Sequence, residues 1–194
     1  GIIPILLSGK RNYSKAYGVE IQPEVAEMAE RSIKLNFLQE KIEILNIDLK
    51  DALECLDAGS FDAVISNPPY KLNKSGIINP DDKKAISRHE IKCTLEDVIS
   101  TASRLLKQYG RFYMVHRPDR LADIMCLLRK YRLEPKQIRF VHPRAKAKPN
   151  MILIRASKNG NPELKFDPPL YIYDDEGNYT EDVHKIYGLE GGQL

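Results

Sequence analysis

The sequence predicts an α/β fold: a mostly parallel sheet with helices on both faces and an antiparallel strand pair at its end. Three observations carry that expectation. Short β-branched runs alternate with stretches of helical periodicity. The apolar run Phe61-Asp62-Ala63-Val64-Ile65-Ser66 reads as a buried strand and stops at Asn67-Pro68-Pro69-Tyr70, where proline has no N–H to continue a ladder. Acids also end the two preceding strand candidates, at Glu20 and Asp48. In open sheets of this kind, ligands bind beyond the carboxyl ends of the strands.

The elements follow in order. An apolar run after Gly1 has helical character, and Lys15 to Glu20 is a short strand candidate. Pro23 suits a first helical turn, with Val25, Met28, Ala29, Ser32, Ile33 and Asn36 on one face. Ile42, Ile44 and Ile47 suggest the next strand, and a short helix near Leu49 to Leu56 precedes the run ending at Asn67. After a polar loop, Ser87-Arg88-His89-Glu90 has the pattern of a capping box. The helix beyond it carries Ile91, Leu95, Val98, Ile99, Ala102, Leu105 and Leu106 at helical spacing. Gly110 turns into a strand over Arg111 to His116, and Pro118 opens a helix with Leu121, Ile124, Met125, Leu128 and Tyr131 on one side. Gln137 to Val141 and Met151 to Ala156 are the closing strands, joined by a basic loop from Pro143 to Pro149. Pro168 to Tyr173 is either an added strand or a surface segment. A nucleotide-binding sheet of this order needs a strand and a glycine-rich turn before its first helix. The first, central strand and most of that turn are expected upstream of Gly1.

Composition narrows the function classes. At 194 residues the chain can bury a substantial core. No run approaches the ~20 apolar residues of a membrane span, and the opening segment lacks the basic start of a signal peptide. Cys55, Cys93 and Cys126 are odd in number and widely spaced, which favours buried free thiols in a reducing cytoplasm over disulfides. The four histidines lack ligand spacing, so no metal is expected. Charge is uneven: Ala102 to Lys158 holds 15 Lys/Arg against 3 Asp/Glu, whereas Asn159 onward holds 2 against 8. The basic stretch suggests a polyanion-binding surface, or else solvated helix and strand edges.

The strand-end residues suggest specific chemistry. Glu20 is placed to accept from both hydroxyls of a ribose. Asp48 is placed to accept from an adenine amine, and the Leu49 N–H to donate to its ring. Taken singly, an acid at a strand end is usually a cap or a solvated turn, and it is their order at successive strand ends that points to a ligand. At the third strand end, the Asn67 side-chain oxygen and the Pro68 carbonyl can accept the two hydrogens of a planar amine, with Tyr70 stacked on the ring that bears it. That geometry aims the nitrogen lone pair at an electrophile and requires neither a metal nor a covalent nucleophile.

Asn67-Pro68-Pro69-Tyr70 after a strand, with Glu20 and Asp48 at the preceding strand ends, resembles the class I S-adenosylmethionine-dependent methyltransferases that modify amino groups, a Rossmann-like fold. The likeness extends to about Ser157. Ser87-Arg88-His89-Glu90, His116-Arg117-Pro118-Asp119-Arg120-Leu121 and Val141-His142-Pro143-Arg144 further resemble the bacterial tRNA1(Val) (adenine-37-N6)-methyltransferases, in a Gram-positive or mollicute-type branch. The resemblance implies S-adenosylmethionine as cofactor, held by Glu20 on its ribose, Ile21 beside its adenine, Asp48 and Leu49 at the adenine edge, and Asn67. Gly1 matches the end of the glycine-rich motif. Asn67, Pro68, Pro69 and Tyr70 are then the catalytic set, and tRNA the partner of a cytoplasmic enzyme, with a monomer the simpler expectation.

Arg88, His89, Arg117, Arg120, Arg144, Lys146 and Lys148 are the candidate RNA contacts, each alternatively a helix cap or a surface ion pair. Residues 1–158 form the expected methyltransferase domain, N-terminally incomplete, and residues 159–194 an acidic extension packed on it or trailing from it. A protein glutamine N5-methyltransferase uses the same motif. A noncatalytic RNA-binding relative would keep only the fold.

Overall fold

The computed structural model describes residues 2–68 and 93–188. The chain divides into two compact units, Gly1–Asp57 and Ala58–Leu194.

In the first unit, helix α1 (Ile2–Ser8) is followed by strand β1 (Ala16–Val19), helix α2 (Pro23–Leu35) and strand β2 (Ile42–Leu45). A 3-10 turn over Leu49–Asp51 then leads into the short helix α3 (Ala52–Cys55). β1 and β2 pair in parallel, Ala16 opposite Ile42 and Val19 opposite Leu45. Gly18 lets Ile44 pack closely over β1, since a Cβ there would lie 2.8 Å from Ile44 Cδ1 and the side chain would have to shift. Pro23 sits in the first turn of α2, where its missing N–H costs no helical bond. The inward stripe of α2 is Ala26, Ala29 and Ile33, an i, i+3, i+7 row. This corrects the expected face: the helix is rotated, and Met28 is 57% exposed.

The second unit is built on strands β3 (Phe61–Ser66), β4 (Leu106–His116), β5 (Leu133–His142), β6 (Met151–Lys158), β7 (Lys165–Phe166) and β8 (Leu170–Tyr171). They form one sheet in the order β3-β4-β6-β5-β7, with β8 also on β5. β3 runs parallel to β4, and β7 and β8 parallel to β5, while β6 is antiparallel to both of its neighbours. Helices α4 (Leu95–Leu105), α5 (Leu121–Lys130) and α6 (Glu181–Tyr187) complete the unit. Fully buried Ile99, Leu106, Phe112, Ile124, Leu128, Leu133 and Ile152 form its core, each contributing roughly 1.5–3 kcal/mol by burial. Glu96 accepts from the Tyr131 hydroxyl at 2.6 Å and Ser103 donates to the Tyr131 carbonyl at 2.7 Å, joining α4 to the end of α5.

Several expectations shift. α4 is capped by Thr94, whose side chain accepts from the Asp97 amide at 3.1 Å while the Asp97 carboxylate accepts from the Thr94 amide at 2.8 Å. This box lies later than Ser87–Glu90, which falls outside the described residues. β4 begins at Leu106 rather than Arg111, because Tyr109 adopts φ 62 and Gly110 allows a close approach to Phe61. β3 is paired only with β4 among the described residues, and Ile65 is 40% exposed, so the run is not a fully buried strand. Cys55 and Cys126 are free but exposed, because apolar neighbours in sequence do not fix which way a helix turns each side chain. The C-terminal segment adds β8 to the sheet, and Val141, Leu170 and Val183 form a small core there with Met151, Leu153 and Ile172.

Candidate active site

In the first unit, Glu20 follows β1 directly. Its amide donates to the Leu45 carbonyl at 3.0 Å, and its own carbonyl accepts from the Asn46 side chain at 2.8 Å. The carboxylate accepts from the Gln22 amide at 3.0 Å. A carboxylate has about four acceptor positions, so one bond to Gln22 orients the group and leaves capacity for hydroxyl donors. Ile21 lies half-buried between these two residues. Beyond the neighbouring strand β2, which ends at Leu45, Asp48 caps the 3-10 turn and accepts from the Lys50 amide at 3.1 Å. Leu49 is the first residue of that turn, so its N–H has no intrahelical acceptor. The fold thus sets two carboxylates and an unspent amide at adjacent parallel strand ends.

In the second unit, Asn67 is exposed one residue beyond β3 and Pro68 is buried. The register places Ser66 opposite Met114, so Pro68 lies at the level of His116, the last residue of β4. His116 is 1% exposed, and its Nδ1 accepts from the Arg117 amide at 2.8 Å. Burial holds its pKa below the usual imidazole value, the Arg117 carbonyl only partly opposing this. Nothing local in the sequence distinguishes this buried histidine at the end of β4 from an exposed one.

The basic candidates separate on inspection. Arg117 is exposed, with Asp119 at 3.9 Å. Arg120 is paired with Asp123 at 2.6 Å, and its side chain is only 18% exposed, so it is less available to a polyanion than its neighbours. Arg144, Lys146 and Lys148 are exposed on the β5–β6 loop. That loop is braced by His142 Nδ1 with the Ala147 carbonyl at 2.8 Å and by the Asn150 amide on the Val141 carbonyl at 3.0 Å. β3, β4 and β5 run the same way, so Asn67, Arg117 and the loop from Pro143 emerge at one edge of one sheet. Gly1, Pro69, Tyr70, Arg88 and His89 lie outside the described residues.

Parallel strand ends carrying polar groups suit many ligands, and comparison with known proteins narrows them. The model of the methyltransferase small domain matches residues 1–130. The chain belongs to the methyltransferase small-domain family. A tRNA1(Val) (adenine(37)-N6)-methyltransferase of Porphyromonas gingivalis is 30% identical over 190 residues, covering 96% of this chain and 74% of the relative. Among solved structures, a predicted O-methyltransferase of Agrobacterium tumefaciens has the same fold, with TM-score 0.75, 23% identity and coverage of 98% of this chain and 85% of that one. A geranyl diphosphate C-methyltransferase of Streptomyces coelicolor, solved with S-adenosyl-L-homocysteine, aligns with TM-score 0.57 at 14% identity over 79% of this chain and 66% of that one. This methyltransferase is therefore an enzyme with a Rossmann-like fold. Among the described residues of the methyltransferase, no helix is long and apolar enough to cross a membrane.

Proposed function

We propose that this methyltransferase modifies the exocyclic N6 amine of an adenine in RNA, with adenosine 37 of a tRNA anticodon loop as its target. The observation that carries this reading is the shared edge of the second unit: the Asn67-Pro68 strand end and the exposed cations Arg117, Arg144, Lys146 and Lys148 emerge together. The name of the Porphyromonas gingivalis relative supports the choice of substrate.

S-adenosylmethionine supplies a sulfonium-bound methyl group, which an amine nitrogen can take while the C–S bond breaks and sulfur keeps the electron pair. Glu20, Ile21, Asp48 and Leu49 are the residues that would hold that donor. An adenine amine is a weak nucleophile because its lone pair is delocalised into the ring. Asn67 Oδ1 and the Pro68 carbonyl accept its two hydrogens, which favours a pyramidal nitrogen and points the lone pair outward. Tyr70 supplies a stacking face for a base taken out of its loop. The methylated nitrogen is cationic and acidic, so its surplus proton passes to water. A loop purine suits such a site, since unstacking it costs less than opening a helix.

The test uses the full-length protein with labelled S-adenosylmethionine and either total tRNA or total protein. N6-methyladenosine in tRNA, lost in Asn67→Ala, is the expected result. Label in glutamine side chains of protein would replace this reading with a protein methyltransferase.

A further inference from the structure

The C-terminal segment carries a feature that methyl transfer does not use. Beyond β8 the chain makes a tight hairpin in which Tyr173 pairs with Tyr179. The two rings stack with centroids 5.3 Å apart and planes 16° apart, yet remain 37% and 43% exposed. The hairpin is firmly built. Asp174 Oδ1 accepts from the Glu176 and Asn178 amides at 3.0 and 2.9 Å, and Thr180 Oγ1 donates to the Tyr171 carbonyl at 2.6 Å. It also adjoins the basic loop: the Tyr173 amide donates to the Pro143 carbonyl at 2.9 Å, and a Cβ on Gly177 would meet Arg144 Nη2 at 3.6 Å.

We propose that the Tyr173–Tyr179 stack and the Pro143–Asn150 loop together form a second RNA-contact surface, where an unpaired base stacks on the tyrosines and Arg144 and Lys146 take flanking phosphates. The assignment rests on the RNA reading above and adds where the RNA lies. Rigid, exposed aromatic faces beside a cationic loop are the elements from which single-stranded nucleic acid sites are made. Register sets the scale. From Asn67 to Tyr173 the sheet advances four strands, at ~4.8 Å each, and about five residues along, at ~3.3 Å each, a separation on the order of 25 Å. A stacked nucleotide spans ~3.4 Å, so the base at the tyrosines is not the one being methylated but another in the same RNA.

The experiment titrates a fluorescein-labelled anticodon stem-loop RNA at several salt concentrations, with S-adenosylhomocysteine affinity measured in parallel. Tyr173→Leu/Tyr179→Leu is expected to weaken RNA binding about tenfold or more, with the salt slope and cofactor affinity unchanged. Tyr173→Phe/Tyr179→Phe keeps the rings and binds as wild type. Arg144→Ala lowers the slope by about one. As a readout on the unaltered protein, photocrosslinking to a 4-thiouridine-substituted stem-loop is expected to label Tyr173 or Tyr179. Wild-type RNA affinity in the leucine variant, or crosslinks confined elsewhere, overturns the second surface and leaves the RNA reading standing. Absence of RNA binding by the wild type, or peptide binding lost with the tyrosines, overturns both.

Discussion

In the proposed reaction one residue carries the positioning of the amine: Asn67, exposed just beyond β3. Asn67→Ala is expected to lower kcat by about 10²–10³-fold, the usual loss for one positioned hydrogen-bonding partner, measured with labelled S-adenosylmethionine at saturating cofactor. His116 behaves differently. It is buried neutral, so its folded-state pKa is lower than in the unfolded chain. Between those two values the unfolded state binds more protons, and stability rises with pH. Unfolding midpoints in denaturant are therefore expected to be level above about pH 6.5 and to fall as pH drops below that ordinary imidazole value. In His116→Gln this part of the decline is lost. A decline of equal size in the variant would assign it to other groups.

At the scale of elements, caps and close approaches set where helices and strands begin. Thr94→Ala removes one bond of the reciprocal pair that starts α4 and is expected to cost about 1 kcal/mol, read as a lower denaturant midpoint with unchanged slope. Gly110→Ala would push a methyl to 2.9 Å from the Lys107 carbonyl and 3.1 Å from that of Phe61, costing about 1–3 kcal/mol. The sequence made some of this visible and concealed the rest for physical reasons. Prolines 68 and 118 mark local backbone states, so the end of β3 and the turn before α5 could be read directly. Helical periodicity located α2 but not its rotation, because whether Met28 or Ala26 faces inward depends on the partner surface. The acids at Glu20 and Asp48 were legible as strand-end groups, since each strand is short and local. The tyrosine pair was not, because Tyr173 meets Tyr179 only through the turn held by Asp174.

For the whole molecule, charge and topology act together. The basic stretch counted from the sequence does not lie on one face as a block: Arg120 is paired with Asp123 and Arg139 with Asp182 at 3.3 Å, while the β5–β6 loop keeps its cations exposed. Lys148→Ala is therefore expected to weaken stem-loop binding and lower its salt slope by about one, whereas Arg120→Ala acts mainly on stability. The C-terminal segment contributes to the fold of the second unit as well as to its surface. Leu170 is 6% exposed in the small core with Val141 and Val183, and Leu170→Ala should cost about 2–4 kcal/mol, measured as a lower Tm.

β6 is the strand that runs against the others in this sheet. Its reversal makes the segment from Pro143 to Asn150 the tip of a hairpin whose legs pair without interruption from Val141–Met151 back to Gln137–Arg155, beyond which the register shifts at Pro135. Residues can be exchanged or inserted at such a tip at small cost, since doubling a loop adds only about 0.6 kcal/mol, and the ladder beneath keeps its register. In the proposed reading, the fold thus separates what holds the sheet from the cationic tip assigned to RNA. Grafting a different β5–β6 tip onto this frame should redirect which nucleic acid is chosen while the methyl-transfer machinery stays as it is.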